Sequence, residues 1–146
     1  MKHLFSTRRA ATCLLVLLSL LVLFHALILT GIVPYGIVWG GRLQSPAQML
    51  AFETVSIGAN LVLAGVAGAW AGHWGAGRRT GWLRGALWLM TALFGLNTVG
   101  NLLSVNPLEK HVFTPLTLVL ALLSLRLALD RRPGRPAEIA GGSGSI

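Results

Sequence analysis

A chain of 146 residues with 54% hydrophobic and 11% charged side chains is too apolar for an ordinary water-soluble domain. Its net charge of +8 does not mark a nucleic-acid partner, because the basic residues flank apolar runs instead of clustering between aromatics. The single cysteine, Cys13, excludes an internal disulfide and thiol-pair redox chemistry; no Cys/His spacing suggests a metal, and no cofactor is expected.

Four apolar runs follow one another, 10–33, 49–71, 82–104 and 112–129. Each is near the roughly 20 residues that a helix needs to cross a hydrocarbon core. They are continuous, whereas barrel strands read as short alternating segments. The expected fold is an all-α membrane protein: a four-transmembrane-helix antiparallel bundle, one membrane domain over 1–132. The first run follows Lys2, Arg8 and Arg9, as a signal peptide would, but it continues unbroken to Pro34 without a small-residue cleavage pattern and reads as a span. Cys13, at its beginning, reads as packing. His25 lies nine residues before Pro34. It is either a hydrogen-bonded packing residue or a titrating group.

The first connection, Pro34-Tyr35-Gly36-Ile37-Val38-Trp39-Gly40-Gly41-Arg42, joins two aromatics, three glycines and a cation. It reads as an interfacial turn anchored by Tyr35 and Trp39, or as a lid that contacts a substrate through Trp39 and Arg42. In the second run Glu53, Ser56 and Asn60 recur at i, i+3 and i+7, which places them on one helix face. Glu53 is the only acidic residue inside any of the four runs. If buried it is a candidate proton carrier or general acid/base with His25 as neighbour; if not, it reaches the headgroups and pairs with Arg42. Ala64, Gly68 and Gly72 repeat every four residues and suggest a close helix contact.

Trp70, Trp74 and Trp82 bracket the second connection, 73–79, as interfacial anchors, while Trp88 is expected to pack. In the third run Asn97, Asn101 and Ser104 again share a face, within the dense segment Asn97-Thr98-Val99-Gly100-Asn101. Interhelical hydrogen bonds account for such amides, and ligand contact is the second possibility. The third connection, 106–111, carries charges that suit a solvated turn. Thr114 and Thr117 open the fourth run, in phase with Ala121 and Ser124. Residues 133–146 turn to Arg, Pro, Gly and Ser, a flexible cytoplasmic tail, native or appended.

Orientation follows from the positive charges. Lys2, Arg8, Arg9, Arg78, Arg79, Arg84, Arg126, Arg131, Arg132 and Arg135 fall on one side of four alternating spans, and only Arg42 and Lys110 on the other. Positive residues stay in the cytoplasm, so both termini are expected inside, N-in/C-in. His25, Glu53, Ser56, Asn60, Asn97, Asn101, Thr114 and Thr117 then all lie in the outer half or at the midplane. An unpaired polar group in hydrocarbon is costly, so the stripes are expected to turn inward and line a polar pocket that opens outward.

The segments Phe52-Glu53-Thr54-Val55-Ser56, Asn97-Thr98-Val99-Gly100-Asn101 and Phe113-Thr114-Pro115-Leu116-Thr117 resemble those of small bacterial four-helix inner-membrane proteins of no assigned activity. The resemblance implies the fold and a bacterial inner (cytoplasmic) membrane, but no ligand or catalytic residue. The patterns of fluoride channels, small multidrug exporters and vitamin K reductases are missing, as are HExxH, G-x-S-x-G and phosphate-cradling loops. Three functions are consistent with the residues. The first is binding or transport of a small solute or ion, proton-linked through Glu53 and His25, with permeation requiring a homodimer. The second is a non-catalytic accessory subunit whose stripes face a membrane partner. The third and weakest is an enzyme on a lipid-like substrate in the outer leaflet.

Overall fold

The computed structural model describes residues 6–73 and 80–130. The described residues form four long helices and no strand. Lys2, Trp74, Arg78, Arg79, Arg131, Arg132, Arg135 and the expected tail 133–146 lie outside the described residues.

Helix α1 (Thr7–Leu29) starts at Ser6, whose hydroxyl accepts the Arg9 N–H at 3.3 Å. It stops short of the expected residue 33 because Gly31 takes φ +77° and the Val33 N–H turns back to the Leu27 carbonyl at 3.1 Å. Ile32 and Val33 extend the apolar run beyond the helix. Helix α2 (Pro46–Ala71) starts three residues before the apolar run does. The reason is a cap: Ser45 accepts from the Gln48 N–H at 3.2 Å, Pro46 occupies the first turn, and the Gln48 side chain accepts the Gln44 N–H at 2.9 Å. At its far end Gly72 is left-handed (φ +77°), and the His73 N–H bonds the Gly68 carbonyl at 3.0 Å. Gly72 is thus the helix stop, not part of a helix contact. Gly68 is buried, and Ala64 packs against the core.

Helix α3 spans Gly81–Leu103, and helix α4 (Thr114–Ala128) continues from a π-helical turn, Glu109–Phe113. Pro115 accounts for that turn: it has no N–H for the ladder, and its ring presses on the carbonyl one turn back, which a locally wider helix relieves. Thr7–Leu29, Pro46–Ala71, Gly81–Leu103 and Glu109–Ala128 are each long and apolar enough to cross a membrane. At about 1.5 Å per residue they measure about 30 to 39 Å against a hydrocarbon core of about 30 Å.

Successive helices run antiparallel, which gives the bundle a hairpin end, holding the first and third connections, and a terminal end. α1 packs along α2 and α3 along α4; the two pairs meet mainly through α1 and α4. The main core joins Leu14 and Leu18 of α1, Val66 and Trp70 of α2, Leu87 and Met90 of α3, and Leu120 and Leu127 of α4. Ala10, Ala11, Ala67, Ala121 and Ala128 line the same seam and let the backbones approach closely. At the hairpin end a second cluster gathers Ile28, Val38 and Leu43 with Phe24 and Met49. Outward-facing positions are apolar as well: Val55 and Leu96 are 70% exposed. An apolar belt of that kind suits hydrocarbon and not water. Trp88, expected to pack, is 45% exposed and belongs to this outer surface.

Candidate functional site

Glu53 lies about 10 Å along α2 from its start, at 1.5 Å per residue. It is completely buried. Its Oε2 is 2.5 Å from His25 Nδ1 on α1, and its Oε1 accepts the Trp39 indole N–H at 2.9 Å. The alternative pairing with Arg42 is not formed; the carboxylate is served from the adjacent helix and from the loop above it. The antiparallel hairpin is what brings His25 and Glu53 level, since each is set back from the end of its helix. Trp39 also sits edge-on against Phe52, with ring centroids 4.9 Å apart, and Phe24 lies against both His25 and Phe113.

The contact between Nδ1 and Oε2 and the Trp39 N–H together give both oxygens of Glu53 a partner in an apolar surrounding, where an unpaired carboxylate would be prohibitive. His25 is 16% exposed at its side chain, and its Nε2 has no partner among the described residues. The imidazole therefore holds Glu53 with one nitrogen and leaves the other open to a further partner.

Trp39, Gly40 and Gly41 are all left-handed, with φ of +55°, +66° and +71°. For tryptophan that conformation costs about 1–2 kcal/mol, so surrounding contacts must hold it. Besides the Trp39 bond to Glu53, the Gly40 N–H donates to Glu109 Oε1 at 2.7 Å. The other oxygen of Glu109 accepts from Ser104 Oγ at 2.5 Å. Asn106 adds a second tie, its Nδ2 donating to the Ile37 carbonyl at 2.8 Å while its Oδ1 caps the Leu108 N–H at 2.9 Å. Glu109 is only 8% exposed, which corrects the expectation of a solvated turn at 106–111. Arg42 is exposed, and its Nε lies on the same side of Gly40 as Glu109 Oε2.

The remaining candidate residues separate into other groups. Thr117 is buried between α3 and α4, where Thr98 Oγ1 lies 3.0 Å and Asn101 Nδ2 3.4 Å from its hydroxyl, and it donates to the Phe113 carbonyl at 2.7 Å. This seam is made of interhelical hydrogen bonds. Ser56 and Asn60 bond within α2, to the Phe52 carbonyl at 2.9 Å and to the Ser56 carbonyl at 2.8 Å, although Asn60 is only 9% exposed. Thr114 bonds back to the Glu109 carbonyl at 3.3 Å. Asn97 stands apart, exposed on α3 and not among Glu53's hydrogen-bond partners. The inward position in that stretch belongs to Thr98, one residue on.

Two buried carboxylates beyond Glu53 do not stand out in the sequence. Glu109 lies outside the four apolar runs, yet Ser104, Asn106 and Pro107 ahead of it spell a helix start, where an acidic residue in the first turn is favoured. At the terminal end Asp130 is buried and accepts from Thr7 Oγ1, and Arg84 Nε donates to the Ala128 carbonyl at 2.9 Å. Among the described residues no cluster of His, Cys, Asp and Glu has the makings of a metal site. No family model, curated protein or solved structure matches the chain. Geometry alone therefore bears on its function.

Proposed function

We propose that this protein spans a bacterial inner membrane four times with both termini in the cytoplasm, and binds a small solute or ion at its outward hairpin end, exchanging a proton through His25 and Glu53. The observation that carries this reading is the 2.5 Å pair buried beneath a loop, with Glu53 fully removed from solvent. Ionisable groups within a span are expensive and are usually retained for ion, proton or substrate handling. The bond from Trp39 also indicates the class of solute. A hydrogen-bonding solute that takes its place at Glu53 Oε1 must be a donor, as a protonated amine or a hydroxyl is. The arginine-rich terminal end supplies the orientation through the positive-inside rule.

The test uses purified protein in weakly buffered detergent solution with a pH-sensitive dye outside the protein. Binding of methylammonium, which donates, should release or take up protons, and tetramethylammonium, which cannot donate, should not. E53Q should abolish the signal. Absence of any signal in the wild type, or one unchanged in E53Q, overturns the reading.

One observation favours a second reading, that of an accessory subunit or a homodimer. Asn97 presents an amide on an otherwise apolar outer surface, where a neighbouring helix would satisfy it. A single stoichiometric membrane protein co-purifying with the wild type and lost in N97L would support that assignment.

A further inference from the structure

Adjacent residues of the first connection bond to two different buried carboxylates: Trp39 through its side chain to Glu53, and Gly40 through its backbone to Glu109. The two carboxylates belong to different helix pairs, Glu53 to the α1–α2 hairpin and Glu109 to the start of α4. The loop is thus held shut from both sides. Trp39, whose indole bonds the buried Oε1 of Glu53, is itself 42% exposed. The loop's closed shape is also strained, since Trp39 is left-handed and the two glycines that follow share that conformation. A strained segment kept in place by one small apolar cluster and a few polar contacts is drawn from the low-stability end of the structure and opens locally.

We infer that the segment 35–42 is a lid over the His25–Glu53 pair, and that Glu109 is a positioning residue which sets, through Gly40, how often Trp39 leaves Glu53. Ser104 acts one step further out by holding the second oxygen of Glu109 at 2.5 Å. Asn106 secures the lid's other limb through the Ile37 carbonyl. Opening leaves the main core in place and loosens only the small cluster: Leu14, Leu18, Leu87 and Leu120 lie in the former, Val38 and Leu43 in the latter. The inference rests on the reading that Glu53 is where a solute binds, since only then does opening admit one.

Dicyclohexylcarbodiimide, an apolar reagent that adds to a carboxyl to give a stable acylurea, measures access to Glu53 directly. The full chain in detergent is labelled for increasing times and the adduct on the Glu53 peptide is quantified by mass spectrometry. Glu53 in the wild type should react slowly. E109A, which removes the acceptor of the Gly40 N–H, should accelerate labelling about tenfold, the effect of losing one charge-assisted hydrogen bond on an opening equilibrium. E109Q retains an amide oxygen for that N–H and should stay near the wild-type rate, a rescue that a general loss of packing would not give. W39F, a change on a half-exposed ring, should accelerate labelling by a similar factor and serves if E109A does not fold. Equal rates in the wild type, E109A and W39F overturn the lid. Accelerated labelling in E109A and W39F with no methylammonium-driven proton signal leaves the lid standing and removes the solute; the signal without the acceleration does the reverse.

Discussion

Replacing Glu53 by leucine tests the energetics of the site, because leucine fills similar space and removes both acceptor oxygens. His25 Nδ1 then loses its partner in a position 16% exposed, and Trp39 Nε1 loses its own in a residue 42% exposed. The indole can turn toward headgroups or water, so most of the cost falls on the imidazole. Breaking a buried ionic pair by removing one member costs about 3–5 kcal/mol, whereas an ordinary hydrogen bond between membrane helices averages about 0.6 kcal/mol. The expected loss for E53L is about 3 kcal/mol. E53Q should lose about 1 kcal/mol or less, since the amide oxygen accepts from Trp39 and the amide N–H donates to a neutral imidazole. H25L/E53L should be more stable than E53L, because the double variant leaves no polar group stranded. Equilibrium unfolding in mixed micelles, followed by helical circular dichroism, gives all three differences. An E53L loss below about 1 kcal/mol, or a double variant no more stable than E53L, would refute the claim that these two residues form one buried unit.

Two further changes test the local architecture. G72A should destabilise by about 1 kcal/mol, because Gly72 closes α2 at φ +77°, while G58A, in the interior of the same helix with open space beside it, should be neutral or stabilise by about 0.5–1 kcal/mol; thermal melts of both distinguish the helix stop from helix-packing glycines. T117V removes the hydroxyl against which Thr98 and Asn101 lie and should cost about 0.6–1.7 kcal/mol in the same unfolding assay, with no effect on carbodiimide labelling of Glu53.

The four long apolar helices were legible because an uninterrupted apolar run near twenty residues long suits a helix able to cross a membrane and little else. The closeness of His25 and Glu53 was legible for a related reason: a short connection between antiparallel helices makes residues at matching depth neighbours. Helix ends were not, since hydropathy is blind to them. Ile32 and Val33 continue an apolar run that Gly31 has already ended, and the cap at Ser45 begins α2 before its run starts. Asn97 failed through phase. Asn97/Asn101 and Thr98/Asn101 both fit a helical repeat, and only the position of Thr117 on α4 selects the second. The lid was undecidable because its shape depends on a left-handed tryptophan, a conformation that no pattern of residue types announces. Glu109 was lost because its charge is ordinary in a turn and unusual only once the Gly40 N–H is seen to bind it.

These contacts also bear on whether one copy of the chain can conduct. The polar groups that involve a loop or a second helix at the hairpin end stop at the Thr98–Asn101–Thr117 seam. Toward the terminal end, Leu14, Leu18, Leu87, Met90 and Leu120 are fully buried against one another, and the hydroxyls of Thr91 and Ser124 are spent on carbonyls of their own helices, Leu87 and Leu120. A proton or solute that reaches His25 therefore meets a packed apolar plug and, among the described residues, no chain of donors and acceptors beyond it. Interiors packed in this way shift between discrete arrangements and do not yield continuously. On the reading that a solute binds at Glu53, a single bundle in this conformation is open to it from one side only. Passage across the membrane would require a second packing of α1 against α4, or a path along an interface between copies, where the exposed amide of Asn97 is the polar group at hand.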